Sequence, residues 1–137
     1  MRCLEPEWHD VLASTNAWLV ARLRSGERLA PGYLVAARQQ TAGHGRQGRR
    51  WVSVPGDDLT FSVVVPAAAE PRGDLSAPMA AALGVADAVF QACGLQPQVK
   101  WPNDLLLHGR KLCGILGERA GQDLVVHAWI YCIRDGR

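Results

Sequence analysis

Residues 40–51 read Gln40-Thr41-Ala42-Gly43-His44-Gly45-Arg46-Gln47-Gly48-Arg49-Arg50-Trp51. Gly43, Gly45 and Gly48 have the spacing of the G-x-G-x-x-G dinucleotide fingerprint. That fingerprint needs a helix opening directly after it and an acidic residue about 20 positions on. Here the chain continues Trp51-Val52-Ser53-Val54-Pro55-Gly56, which cannot open a helix. The Gly-Lys-Ser/Thr closure of a phosphate-binding P-loop is missing as well. What is left is a glycine-rich loop bearing Arg46, Arg49 and Arg50, with no acidic residue between Arg38 and Asp57. Glycines let backbone N–H groups approach a ligand closely. Arginines add paired donors for phosphate or carboxylate, and Trp51 offers a flat face for a ring. The combination suits a nucleotide or an acyl-phosphate anhydride. A solvated basic loop with weak nucleic-acid affinity is the bland alternative.

The flanking segments define the fold class. Before the loop, Ser14-Thr15-Asn16, the apolar stretch 17–23 and Ser25-Gly26 predict a short capped helix. Tyr33 to Ala37 predicts a strand after Pro31-Gly32. After the loop, Leu59 to Val65 is continuous and β-rich, as in a buried strand. Ser76 can cap a helix running to about Cys93 and ended by Gly94. Met79, Leu83, Ala86, Val89, Phe90 and Cys93 fall at helical spacing, so they are expected to face a sheet. Val99-Lys100-Trp101 predicts a brief strand stopped by Pro102. Leu105 to Leu107, a turn at His108-Gly109 and Lys111 to Leu116 predict a hairpin. Gln122 to Ile130 predicts one more strand. The expectation is α+β: a mixed, mainly antiparallel sheet with helices on one face.

Composition narrows the function classes. The 137 residues allow one domain, 48% of them apolar and 20% charged. A net charge of +2 gives no global field to select nucleic acid or an anionic membrane. No uninterrupted span of about 20 apolar residues appears. The start, Met1-Arg2-Cys3-Leu4-Glu5-Pro6-Glu7, does not read as a signal peptide. Cys3, Cys93, Cys113 and Cys132 form no C-x-x-C pair and no cluster of zinc spacing. They are expected as reduced thiols in a cytoplasmic protein, two of them small core residues, with no resident metal.

A second polar segment, Lys100-Trp101-Pro102-Asn103-Asp104, precedes Gly109-Arg110-Lys111-Leu112-Cys113-Gly114-Ile115-Leu116. A strand-to-hairpin corner explains it structurally. Yet Lys100, Asp104 and Lys111 gather charge at strand ends, a usual place for a site. The order Ser-Thr-Asn, Gln-Thr-x-Gly-x-Gly-Arg-x-Gly-Arg-x-Trp, Lys-Trp-Pro-Asn-Asp and Arg-Lys-x-x-Gly-Ile-Leu resembles the biotin protein ligase (biotin–[acetyl-CoA-carboxylase] ligase) family from about Ser14 to Glu118.

The resemblance implies a ligase that makes biotinyl-5′-AMP from biotin and MgATP, then passes biotin to a lysine of a biotin carboxyl carrier domain. It implies a biotin site from Ser14, Thr15, Asn16, Gln40, Gly43, His44, Gly45, Arg46, Lys111 and Gly114. It implies a nucleotide site from Arg46, Arg49, Trp51, Asn103 and Lys111. Arg46, Lys111, Asp104 and Lys100 would serve the chemistry, and Trp101 is expected to pack hydrophobically.

The chain departs from the family pattern in places. His44 stands where many members have arginine. After Leu124-Val125-Val126 the family continues with a Gly-x-Gly-x-Asn strand, whereas this chain reads His127-Ala128-Trp129-Ile130-Tyr131-Cys132. The expectation is a partial, C-terminally truncated catalytic domain without an N-terminal helix-turn-helix or a C-terminal β-barrel, impaired in activity. The last strand should then leave Leu124, Val126, Trp129, Ile130 and Tyr131 uncovered. A non-catalytic fragment binding biotin or ATP, and a lipoate or octanoate transferase, are the competing readings.

Overall fold

A computed structural model describes residues 5–52, 54–66 and 76–131, with the side chain of Ser76 outside the described set. Cys3, Cys132 and the cap at Ser76 therefore lie outside the described residues. Seven strands form one sheet: β1 (Glu7–Leu12), β2 (Leu34–Gln40), β3 (Asp58–Pro66), β4 (Gln98–Lys100), β5 (Asp104–Leu107), β6 (Arg110–Ala120) and β7 (Asp123–Tyr131). Their order is β1-β2-β3-β7-β6-β5-β4. Only β1 and β2 run parallel; the other neighbours are antiparallel. The α+β class with a mixed, mainly antiparallel sheet therefore stands.

Helix α1 (Thr15–Arg24) crosses from β1 to β2. Ser14 caps it in extended backbone, its Oγ accepting from Ala17 N–H at 3.2 Å. Arg22 and Arg24 occupy the last turn, complementing the helix dipole. Strand β1 was not expected, because Pro6 and the charges around it mask a six-residue edge strand. Glu7 anchors it. Burial pushes its carboxyl up, but hydrogen bonds from Tyr33, His9 and Arg22 outweigh this and hold it at about 2.

Helix α2 (Ser76–Cys93) lies between β3 and β4 in the chain. Gly94, at φ +70, ends it and donates to Phe90 O at 2.8 Å. Its buried side chains are Pro78, Ala82, Val85 and Ala86, the last three packed with Leu105, Leu107, Cys113, Ile115, Leu124, Val126 and Ala128. Leu83 is 58% exposed and Phe90 51%, and Cys93 is exposed too, against expectation. The helix is apolar on most of its circumference, so spacing alone does not choose a strip. The alanine-rich strip lets the backbone approach the sheet closely.

The helices lie on opposite faces, which corrects the expectation that they share one. Along β7, Leu124, Val126 and Ala128 meet α2, while Val125 joins Leu19 and Val20 of α1. Alternation along a strand makes these two different faces. The β5–β6 hairpin turns at His108 (φ 50) and Gly109 (φ 75), as a two-residue turn requires. Strand β7 is central between β3 and β6, so Leu124, Val126 and Trp129 are buried rather than exposed. Cys113 is a core thiol, which burial pushes up to about 12, whereas Cys93 is at the surface.

Candidate functional site

The α1 face carries the polar chemistry, because cross-strand register brings it together. Ser62 of β3 and Leu116 of β6 flank His127, while Thr60 and Gly114 flank Trp129. Asp104 of β5 continues the second row beside Gly114. Helix α1 covers one part of this face, and the glycine-arginine loop folds over another. The backbone N–H of loop residue Trp51 donates to Gly43 O at 2.9 Å, and that of Gly45 to Arg49 O at 2.7 Å. A single 3₁₀ turn at Arg46–Gly48 lies between them.

Under the start of α1 is a buried polar cluster. Thr15 donates to Gln40 Oε1 from both its backbone N (2.7 Å) and its Oγ1 (3.0 Å). Thr15 Oγ1 also lies 2.9 Å from Ser62 Oγ and 3.1 Å from His127 Nδ1, and Ser62 Oγ lies 3.0 Å from the same nitrogen. Asn16 Nδ2 donates to Glu118 Oε2 at 2.7 Å. Burial, reinforced by nearby His44, pushes the His127 imidazole down to about 4, so it is neutral near pH 7. Gln40 Nε2, Asn16 Oδ1 and Trp129 Nε1 are buried without a hydrogen-bond partner among the described residues.

Next to this cluster is an aromatic stack. Trp51 packs on Trp129 (centroids 4.8 Å apart) and on Tyr131 (5.8 Å, nearly parallel). Burial, with Asp58 and Asp104 adding to it, pushes the Tyr131 phenol up to about 12. The indole of Trp51 lies against Gly45 and Gly114, where any side chain would collide with it. At Gly43 an added Cβ would sit 2.6 Å from the Trp129 ring and 2.7 Å from Gln40 Nε2. These three glycines are therefore places of close approach.

Beyond the stack opens a cavity of about 280 Å³, lined by Arg46, Arg49, Lys100, Lys111, Asp104 and Asn103 among others. Four cations there face one carboxylate. Lys111 Nζ lies 3.3 Å from Asp104 Oδ1, short of hydrogen-bond geometry, and 4.8 Å from the Trp51 ring centre. Asn103 is pinned to β6 by two bonds with Ile115, 2.8 and 3.0 Å long. Its Oδ1 receives a long 3.5 Å contact from Arg46. Four guanidinium and ammonium groups converging against the single Asp104 carboxylate make chemistry suited to a polyanion.

The structure thus gathers the expected residues into two subsites. Ser14, Thr15, Asn16 and Gln40 form the buried polar end, and Gly43, Gly45 and Gly114 line the middle. Arg46, Arg49, Lys100, Asn103, Asp104 and Lys111 form the charged end. His44 is exposed and bridges Arg50 through its backbone. Trp101 is 66% exposed at the cavity rim, so it is not the packing residue expected. Sequence reasoning missed Thr60, Ser62, Glu118, His127 and Trp129. Two hydroxyls inside an apolar strand were the available signal for the first two. Among the described residues, no group of three or more His, Cys, Asp or Glu side chains is placed to hold a metal ion.

The chain is similar in sequence and fold to known proteins. The biotin–[acetyl-CoA-carboxylase] ligase of Mycobacterium tuberculosis is 42% identical over 120 residues, covering 81% of this chain and 44% of that protein. The bifunctional ligase/repressor BirA of Bacillus subtilis is 34% identical over 116 residues, covering 85% of this chain and 35% of that one. A solved biotin protein ligase from Aquifex aeolicus, in complex with biotin and ATP, matches at a TM-score of 0.80 and 29% identity. It covers 92% of this chain and 51% of that one. The chain thus spans about a third to a half of the length of these relatives. The model of the biotin/lipoate A/B protein ligase family matches residues 8–135, and the chain belongs to that family.

Proposed function

We propose that this chain forms the substrate-gathering part of a biotin protein ligase. In this reading the biotin carboxylate attacks the α-phosphate of ATP, giving biotinyl-5′-AMP and pyrophosphate. Biotin then passes to a lysine of a biotin carboxyl carrier domain. The observation that carries the reading is the cationic cavity opening beside a buried hydroxyl-and-amide cluster. Two anions must meet in the first step, so fixed positive charge counts for more than an enzymic nucleophile. Arg46 and Lys111 lie where they can neutralise the carboxylate and phosphate. Arg49 and Lys100 extend the field over the polyphosphate, and Trp51 offers a face to adenine. Amide and hydroxyl groups of Asn16, Gln40, Thr15 and Ser14 match a ureido ring, which both donates and accepts. Magnesium would arrive with ATP. Asp104 fits the usual pattern of one or two carboxylates sharing the ion with substrate phosphates.

The cytoplasm, where ATP and carrier domains meet, is the compartment this reading implies. No described helix is long and apolar enough to cross a membrane. Incubation of the chain with ATP, millimolar biotin and a carrier domain should give a streptavidin-reactive carrier. Labelling by lipoate or octanoate but not by biotin would assign the chain to the other branch of the family. ATP binding with no pyrophosphate release would make it a non-catalytic binding fragment.

A further inference from the structure

The two subsites differ in one respect: the charged one is open and the polar one is closed. The space that borders the polar cluster at His127, lined also by His44, Gly45, Arg46, Trp51 and Gly114, is about 10 Å³. The nucleotide side offers about 280 Å³. What fills the difference is the chain itself. His127 lies within hydrogen-bonding distance of the Thr15 and Ser62 hydroxyls. The Trp129 ring is fully buried, and both it and Gln40 Nε2 come within 2.7 Å of the point where a Gly43 Cβ would sit.

This closure leaves polar groups unsatisfied. Gln40 Nε2 is a buried donor without an acceptor, and Asn16 Oδ1 a buried acceptor without a donor. The Trp129 indole, which with Gln40 Nε2 crowds Gly43, adds an unpaired Nε1. Folded proteins pair nearly all buried polar groups, so three orphans around one cluster call for an explanation. A small ligand with a carbonyl and N–H groups on one ring would satisfy the first two. Biotin's ureido ring has both.

We propose that Trp129 and His127 are an internal plug, occupying the space of the ligand that Thr15, Asn16 and Gln40 are disposed to hold. This rests on the reading of that cluster as a biotin cradle. Biotin binds only to the form in which the Trp129 side chain has swung out. Apparent affinity is then reduced by the small population of that form. A minor state at 0.1–10% reduces it by about tenfold to a thousandfold. The nucleotide cavity, lined by Trp51 and not by Trp129 or His127, is already open.

The test uses the full chain and its Trp129→Gly and His127→Gly/Trp129→Gly variants, with radiolabelled biotin in equilibrium dialysis and ATP binding as a parallel measurement. Trp129→Gly should tighten biotin binding by about tenfold or more, as expected from the population argument, whereas ATP binding, which gains no space from the opening, should not tighten. Gln40→Ala in the opened chain should reverse that gain. Equal biotin affinity in the unaltered and opened chains, weakened by Gln40→Ala in both, overturns the plug and keeps the cradle. A gain on opening that ignores Gln40→Ala overturns the assignment of the ligand. Should the variants not fold, the unaltered chain decides. Saturating biotin should make a buried tryptophan accessible to iodide quenching, and saturable binding without that change overturns the proposal.

Discussion

Replacing Arg46 with alanine should separate catalysis from stability. Arg46 is exposed on the glycine loop, and its side-chain hydrogen bond is the long one to Asn103. Exposed polar contacts of this kind contribute about 0–1 kcal/mol, so the folded chain loses little. A charge-assisted bond to a bound anion contributes about 1.5–3 kcal/mol, or about a tenfold to 150-fold change in rate at about 1.4 kcal/mol per decade. The assay is biotin- and ATP-dependent pyrophosphate release at saturating biotin, with thermal melting of both chains. The prediction is a rate loss in that range with a melting point near the parent's. A melting loss large enough to account for the rate loss would refute the reasoning, because Arg46 would then be holding the loop rather than the anion.

Lys111→Ala should cripple the same step, and Lys111→Arg should restore little of it, since a planar fork does not replace a compact ammonium beside Asp104 and Trp51; full rescue in the pyrophosphate assay would reduce Lys111 to a long-range charge. Stability should fall on acidification because His127 titrates at about 4 when folded and 6.5 when not. The unfolded chain binds the extra proton between those values, so the contribution is intact above pH 6.5 and is lost as the pH falls towards 4. The loss is about 2 kcal/mol by pH 5 and ~3 kcal/mol at most. Urea titrations at pH 7 and 5 should show it, and His127→Gln should remove it. Leu83→Ser and Phe90→Ser should each change stability by no more than about 0.5 kcal/mol, as exposed positions do; a loss several times larger in urea titration would mean that α2 packs through the strip first expected.

Most elements were legible because their signals are local. Ser14 and Gly94 mark helix ends through their own backbone chemistry, and His108-Gly109 marks a tight turn. The charged half of the site was legible for the same reason, since Arg46, Arg49, Lys100, Asp104 and Lys111 sit in two short motifs. Features that depend on pairing were not legible. Nothing local in β7 says whether it is an edge or a central strand, so the exposure expected for Leu124, Val126 and Trp129 was inverted. Nothing in β3 alone says that Ser62 will face His127, 65 residues away. The face of α2 was only partly legible, Ala86 and Val89 packing as expected but Leu83 and Phe90 not, because leucine, phenylalanine and alanine strips adjoin on one helix. Which strip packs depends on how closely the sheet lets the helix approach.

The central claim is that the cationic cavity and the polar cluster together assemble biotinyl-5′-AMP. Its most direct test is to trap that compound. The chain would be incubated with millimolar biotin and α-labelled ATP without a carrier domain, and the products resolved by mass spectrometry. The account predicts biotinyl-5′-AMP and pyrophosphate in equal amounts, both abolished by Lys111→Ala, with the yield rising in the Trp129→Gly chain. Bound but unconverted ATP at saturating biotin, in both the parent and the Trp129→Gly chain, would contradict it.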